Sequence, residues 1–120
     1  MSKWQQANDE LIRAQLAREN QNEGMARVCS RRAAGFALQG YLTDRGRPIS
    51  TGNAITLLND LDIRSITPPE VHSIMDHLLL KVDENYRFPN EIDLLDETKL
   101  FIEKLQNLIC NEENNGINQD

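Results

Sequence analysis

Few residues in this chain can do chemistry, and the shortages are informative. In 120 residues there are two cysteines, Cys29 and Cys110, and two histidines, His72 and His77. The cysteines form no Cys-x-x-Cys pair and have no metal-ligand spacing, which argues against a zinc site. His72 and His77 are five apart and so lie on different sides of a helix. His72 and Asp76 share a face, but one histidine and one aspartate do not hold a metal. No metal and no cofactor are expected. Both thiols fall on apolar faces of expected helices and read as buried free cysteines of a reducing cytoplasm. Cys29 has cationic neighbours that lower a thiol pKa, but its face points to a core, so a catalytic thiol is not expected.

Longer patterns are missing too. No apolar run approaches the roughly 18 residues of a membrane span. The N-terminus, MSKWQQANDE, is polar and has no signal-peptide core. The expected protein is therefore soluble and cytoplasmic, with no membrane partner. Thr51-Gly52-Asn53 is a cap or turn rather than a phosphate loop. No segment alternates as a strand does, and no repeat of about 20 to 50 residues is present. At this length a single domain buries about two-thirds of its unfolded surface and needs no staple.

What is present is led by the stretch from Asn22 to Arg45. Ala26, Cys29, Ser30, Ala33, Ala34, Gly35, Ala37 and Gly40 make it dense in small residues. From Ala33 onward it is apolar on nearly every side, the mark of a helix enclosed by neighbours. Gly35 and Gly40 each cost roughly 1 kcal/mol against alanine in a helix interior. Close approach of another helix is the expected offset.

The other segments are read in order. Lys3 to Glu19 is a helix with Trp4, Ala7, Leu11 and Ala14 on one face and a second apolar line, Ile12 and Leu16, about 100° away. Asp9 and Arg13 are spaced as an i,i+4 pair. Asn20 to Asn22 is a break, with Asn22 capping the central helix. Gly46 and Pro48 end that helix. Ser50 or Thr51 then caps a short helix over Gly52 to Leu61, with Ile55, Leu58 and Leu61 inward, and a loop follows over Asp62 to Ile66. Thr67-Pro68-Pro69-Glu70 reads as a capping box opening a helix over Pro68 to Glu84. Val71, Ile74, Met75, Leu78 and Val82 are its inner face; Glu70, Ser73, His77, Lys81 and Glu84 face water. Asp93 caps the last helix, whose stripe runs Leu94, Leu95, Thr98, Phe101, Ile102, Leu105, Leu108 and Ile109. The expected fold is all-α, an up-and-down bundle of four to five helices spanning residues 1–110, with a polar, frayed tail over 111–120.

Charge is unevenly spread. The net charge is −6, yet residues 1–60 hold eight basic and six acidic side chains, while residues 61–120 hold five and thirteen. A basic patch built from the first half is therefore allowed, although nothing points to DNA. Arg27, Arg31 and Arg32 open the central helix, and Arg87 sits in a later proline loop. They serve either as partners for acids such as Glu19 and Glu23 or as a cationic pocket for phosphates, which guanidinium forks grip bidentately.

The run RRAAGFALQGYLTDRGRPIS, residues 31–50, resembles the signature helix of the HEPN domains (higher eukaryotes and prokaryotes nucleotide-binding). In that family an alanine-rich helix carrying an aromatic, here Phe36, leads to a leucine-rich end, a glycine loop and a proline. A short helix follows, here NAITLLNDL, and a Tyr-Arg-aromatic-Pro motif precedes the last helix, here Tyr86-Arg87-Phe88-Pro89. The resemblance spans roughly residues 5–110. It implies an all-α bundle and a homodimer. It also implies one of three roles: ribonuclease toxin, partner of a minimal nucleotidyltransferase, or nucleotide-binding module.

The ribonuclease members carry an Arg, four to six residues, then a His. The nearest pair here is Arg64 and His72, with seven residues between them, including Pro68 and Pro69. Arg87 has no histidine downstream, and Asn53 stands near where many relatives have one. The resemblance thus favours the non-nuclease, sacsin-like branch. It implies a non-catalytic dimer that binds a nucleotide or phosphate-bearing ligand through Arg27, Arg31, Arg32, Tyr86, Arg87 and Phe88. The alternative is an interaction module of antitoxin or nucleotidyltransferase-partner type; ribonuclease activity comes third.

Overall fold

In the computed structural model of the chain the described residues are 2–49, 51–80 and 92–117, the segment 111–117 by its backbone alone. They are all-α. Three long helices, α1 (Lys3–Glu19), α2 (Glu23–Asp44) and α6 (Leu94–Ile117), are joined by three short ones, α3 (Ala54–Asn59), α4 (Leu61–Ser65) and α5 (His72–Leu78). Among the described residues there is no strand, and no helix is long and apolar enough to cross a membrane.

The first two helices form an antiparallel pair. Ser2 caps α1 through a capping box with Gln5. The break comes where the sequence places it: Gln21 takes a left-handed φ of 62°, and the Asn22 amide donates to the Ala17 carbonyl at 2.7 Å. The Asn22 side chain then accepts from the Met25 amide. At the far end of α2, Gly46 sits at φ +70°, and the Arg47 amide donates to the Leu42 carbonyl at 2.8 Å. A residue with a Cβ is strained in that conformation.

α2 is the enclosed element. Twelve of its residues are buried, Ala33, Ala34, Gly35 and the run from Ala37 to Leu42 among them. Its two interior glycines have different neighbours. A Cβ on Gly35 would stand 2.7 Å from the Ala54 Cβ and 3.2 Å from its Cα, so this glycine admits the backbone of α3. A Cβ on Gly40 would meet the indole of Trp4 at 2.8 Å. The close approach at Gly40 is thus by a side chain of α1 rather than by another helix backbone. The Tyr41 hydroxyl, at the centre of the core, donates to the Ile66 carbonyl.

The middle of the chain departs from the sequence expectation. α3 is shorter than Gly52 to Leu61 and is capped by Asn53, not by Ser50 or Thr51. Asp60 ends it and at once caps α4, accepting from the Asp62 and Ile63 amides. That restart turns the faces. Leu57 and Leu58 are buried, whereas Ile55 and Leu61 are exposed, Leu61 by 81%. The expected loop over Asp62 to Ile66 is mostly helix.

Thr67 does not cap. Pro69 disfavours helical geometry at the residue before it, and Pro68 accordingly is extended, with ψ 140°. The Thr67 hydroxyl donates back to the Arg64 carbonyl, and a 3-10 turn over Pro69–Val71 leads into α5. The inner face of Val71, Ile74, Met75 and Leu78 is buried as expected; Val82, Lys81 and Glu84 lie outside the described residues. α5 ends at Leu78.

Asp93 caps α6 as expected, accepting from the Asp96 amide at 3.1 Å. The stripe from Leu94 to Ile109 packs inward, with Leu108 partly buried. The helix continues through Ile117, beyond the expected start of the tail at Asn111. Cys29 is buried, while Cys110 is exposed rather than inward.

Candidate functional site

A cleft of about 360 Å³ opens where α1 and α2 meet the segment leading into α3. Its walls carry Glu10 and Arg13 from α1, Arg32, Phe36 and Gln39 from α2, Gly52 from the connection and Ala54 from the start of α3. The connection can lie this close because Gly35 has no side chain to hold Ala54 away.

Glu10 is the unusual member. It stands in line with Ala7, Ala14 and Ala17 on the buried face of α1 and is only 5% exposed. A buried carboxylate is stable only when its oxygens are satisfied. Glu10 Oε1 accepts from Arg13 Nη1 at 2.8 Å, but Oε2 is out of contact with solvent and has no hydrogen-bond partner. Gln39 is also buried, at 4% exposure. Phe36 is half-buried, with Lys3 Nζ 5.6 Å from its ring centroid. The cleft is therefore polar and cationic at its mouth, with one carboxylate set into its wall.

The neighbouring thiol registers the same fields. The Cys29 pKa is raised, first by burial and then by the charge of Glu10; Arg32 and Arg13 pull it down by less. The thiol is thus protonated at neutral pH and is no nucleophile. The thiol is only a weak donor, and its interaction with the Glu10 carboxylate adds to the rise.

The three arginines at the start of α2 do not work together. Arg32 faces the cleft. Arg31 points elsewhere, since adjacent helical residues diverge by about 100°. Its Nε donates to the Leu78 carbonyl at 2.8 Å and its Nη2 to the Leu80 carbonyl at 2.7 Å. It thus satisfies acceptors left open where α5 ends. Burial, and then the charge of Arg27, lowers the Arg31 pKa. Neither Glu19 nor Glu23 is its partner: Glu23 pairs with Arg18, which also grips Asp93 through both carboxylate oxygens. Arg27 is half-buried. Tyr86, Arg87 and Phe88 lie outside the described residues.

Arg64 and His72 are likewise engaged in structure. Arg64 donates to the Leu58 carbonyl at 2.9 Å and to Asp76 at 2.7 Å. His72 Nε2 lies 2.9 Å from the Arg64 carbonyl and 3.0 Å from the Thr67 hydroxyl. Together with Asp76 and Thr67 they tie α4 to α5. His77 bridges α5 to α6 through Glu97, at 2.6 Å.

A second hollow of about 240 Å³ lies beside Leu42, Pro48, Leu57, Ile63 and Ile66. Of its two acids, Asp60 and Asp62, the first is already engaged as the cap of α4. No protein-family model matches the chain, and no curated protein or solved structure is significantly similar to it.

Proposed function

We propose that this chain is a non-catalytic, HEPN-like helical bundle that binds a phosphate-bearing ligand, a nucleotide in the first place. The observation carrying this reading is the cleft between α1 and α2, with Arg13 and Arg32 on its walls and Lys3 beside Phe36. Guanidinium forks suit phosphate oxygens better than any other side chain. A cleft of this volume is within the range of small-ligand sites. Of the arginines expected from the sequence, Arg32 lies on the cleft and Arg13 joins it, while Arg31 is committed to the end of α5. The test is isothermal titration with ATP and GTP. Binding that weakens about tenfold or more in Arg32→Ala supports the reading. No heat at millimolar nucleotide overturns it.

We also propose a homodimer, with the cytoplasm as its compartment. Ile12 and Leu16, 59% and 52% exposed, are an apolar line on α1 turned away from its buried face. Light scattering should give twice the monomer mass for the native chain and the monomer mass for Leu16→Glu. The same line favours a second reading, an interaction module of antitoxin or nucleotidyltransferase-partner type. A stable complex with a nucleotidyltransferase in pull-down, lost in Leu16→Glu and accompanied by no nucleotide binding, would replace the first reading with this one.

A further inference from the structure

The cleft continues into a longer groove. On α2 its lining residues Arg32, Phe36 and Gln39 extend back toward the start of the helix through Val28 and Met25. Positions 25, 28, 32, 36 and 39 make one strip of a helix, close to a heptad seam. On α1 the cleft residues Glu10 and Arg13 share a strip with Gln6 and Ala17, spaced four and three apart in the same way. The α2 strip is about 21 Å long. It is also uncovered: Met25 and Val28 are 45% and 41% exposed, Arg32 is exposed and Phe36 is half-buried. α6 lies on the other side of the pair. The α1 residues that bond to it, Gln15 and Arg18, are roughly 140–160° round the helix from Arg13.

Two facing helix strips at this spacing are what a further helix packs into. A nucleotide in the cleft would cover one end of the groove and leave Met25 and Val28 bare. Charge selects the kind of helix. Arg13 is spent on Glu10 at 2.8 Å, and that pair is neutral. Among the described residues neither Arg32 nor Lys3 pairs with a carboxylate, although Lys3 lies over the Phe36 ring. The groove thus offers an apolar strip with two cations beside it. A helix with an apolar stripe flanked by carboxylates complements it. A basic helix would set like charges against Arg32 and Lys3 and lose affinity.

We propose that this groove docks an acidic amphipathic helix of a partner protein. The helix lies along α2, with its apolar stripe on Met25, Val28 and Phe36 and its carboxylates on Arg32 and Lys3. The site is separate from the line of Ile12 and Leu16, which is turned away from the buried face of α1. It does not rest on nucleotide binding. It does use Arg32, so nucleotide and helix exclude one another.

The test is fluorescence anisotropy of the full chain with two labelled helix-forming peptides of about 20 residues. Both carry leucine at the a and d positions of the heptad; one has glutamate at the flanking positions and the other lysine. The glutamate peptide should bind about tenfold tighter or more, and the preference should shrink as salt is added. Val28→Glu should weaken its binding about tenfold or more, whereas Leu16→Glu should leave it within about twofold. Arg32→Glu should move the preference toward the lysine peptide by about tenfold or more, a change that a merely structural loss does not produce. Circular dichroism checks that each variant is folded, and the comparison of the two peptides on the native chain stands without it. No binding of the glutamate peptide at millimolar concentration, equal affinity for the two peptides, or binding that Val28→Glu leaves unchanged overturns the proposal. So does light scattering in which Val28→Glu halves the native mass, since the occupant is then a second copy of the chain.

Discussion

The indole of Trp4 occupies the space that a side chain at position 40 would need. A Cβ on Gly40 would lie 2.8 Å from Trp4 Cε2, and the indole Nε1 donates to Asp44 at 2.8 Å, one turn further along α2. One aromatic residue thus fixes how the start of α1 lies on the end of α2. Gly40→Ala should destabilise the protein by about 1–2 kcal/mol despite the gain in helix propensity, because overpacking outweighs it. Gly35→Ala should cost more, since its neighbour is the backbone of Ala54 rather than a ring that can shift. Gly24→Ala, with no atom closer than 3.9 Å, should be neutral or slightly stabilising. Urea unfolding of the three variants gives the order.

Arg31 should matter to stability and not to ligand. Its two nitrogens reach two carbonyls, a geometry that a lysine ammonium does not reproduce. Arg31→Ala should lower stability by about 2 kcal/mol, the scale of a charge-assisted hydrogen bond. Arg31→Lys should recover less than half of that. Nucleotide affinity should stay within about twofold of the native value in Arg31→Lys. A large loss of affinity in the folded variant would place Arg31 in the site after all.

Acid should release the joint between α1 and α6. The hydrogen bonds from Arg18 hold Asp93 below the usual carboxylate range. The folded chain therefore takes up this proton at lower pH than the unfolded chain, whose aspartates titrate at about 4. The stability that results is present above that value and is lost as the pH falls through the lower folded value. Asp93→Asn keeps an α6 cap and removes the charge. It should lower the melting temperature at neutral pH and make little difference in strong acid. Asp93 is partly exposed, so the effect should be modest and should shrink further with salt.

The two thiols should react in a fixed order. Cys110 is exposed, whereas Cys29 is buried with its pKa raised. Iodoacetamide at neutral pH should modify Cys110 first, and Cys29 only in urea. Mass spectrometry after timed quenching reads both sites. Early modification of Cys29 would mean that α1 opens from α2 in the native state.

The long helices were legible because their end signals are local. Asn22, Gly46 and Asp93 each act through a hydrogen bond or a backbone angle within a turn of themselves. The middle was less so because signals competed. Ser50, Thr51 and Asn53 all suit a cap, and the short span to Asp60 gave no periodicity to choose among them. At Thr67 the second proline defeats the capping box that the first one suggests. The cleft was hardest to see. Arg32 was visible only as one of three neighbouring arginines, and separating it from Arg31 depends on where α5 ends. Glu10 carried a signal that was there to read: an acid in the same line as Ala7, Ala14 and Ala17, with Arg13 one turn on as its partner.

The enclosure of α2 bears on how this chain can change over generations. A helix lined with Ala and Gly and covered on almost every side has few positions where a larger residue fits. Drift along α2 is blocked by volume more than by chemistry. A remote relative should therefore be recognisable less by shared letters than by a profile of side-chain size: small residues at positions 33, 34, 35, 37 and 40, a bulky ring facing position 40 from the first helix, and one acid on that helix's alanine side.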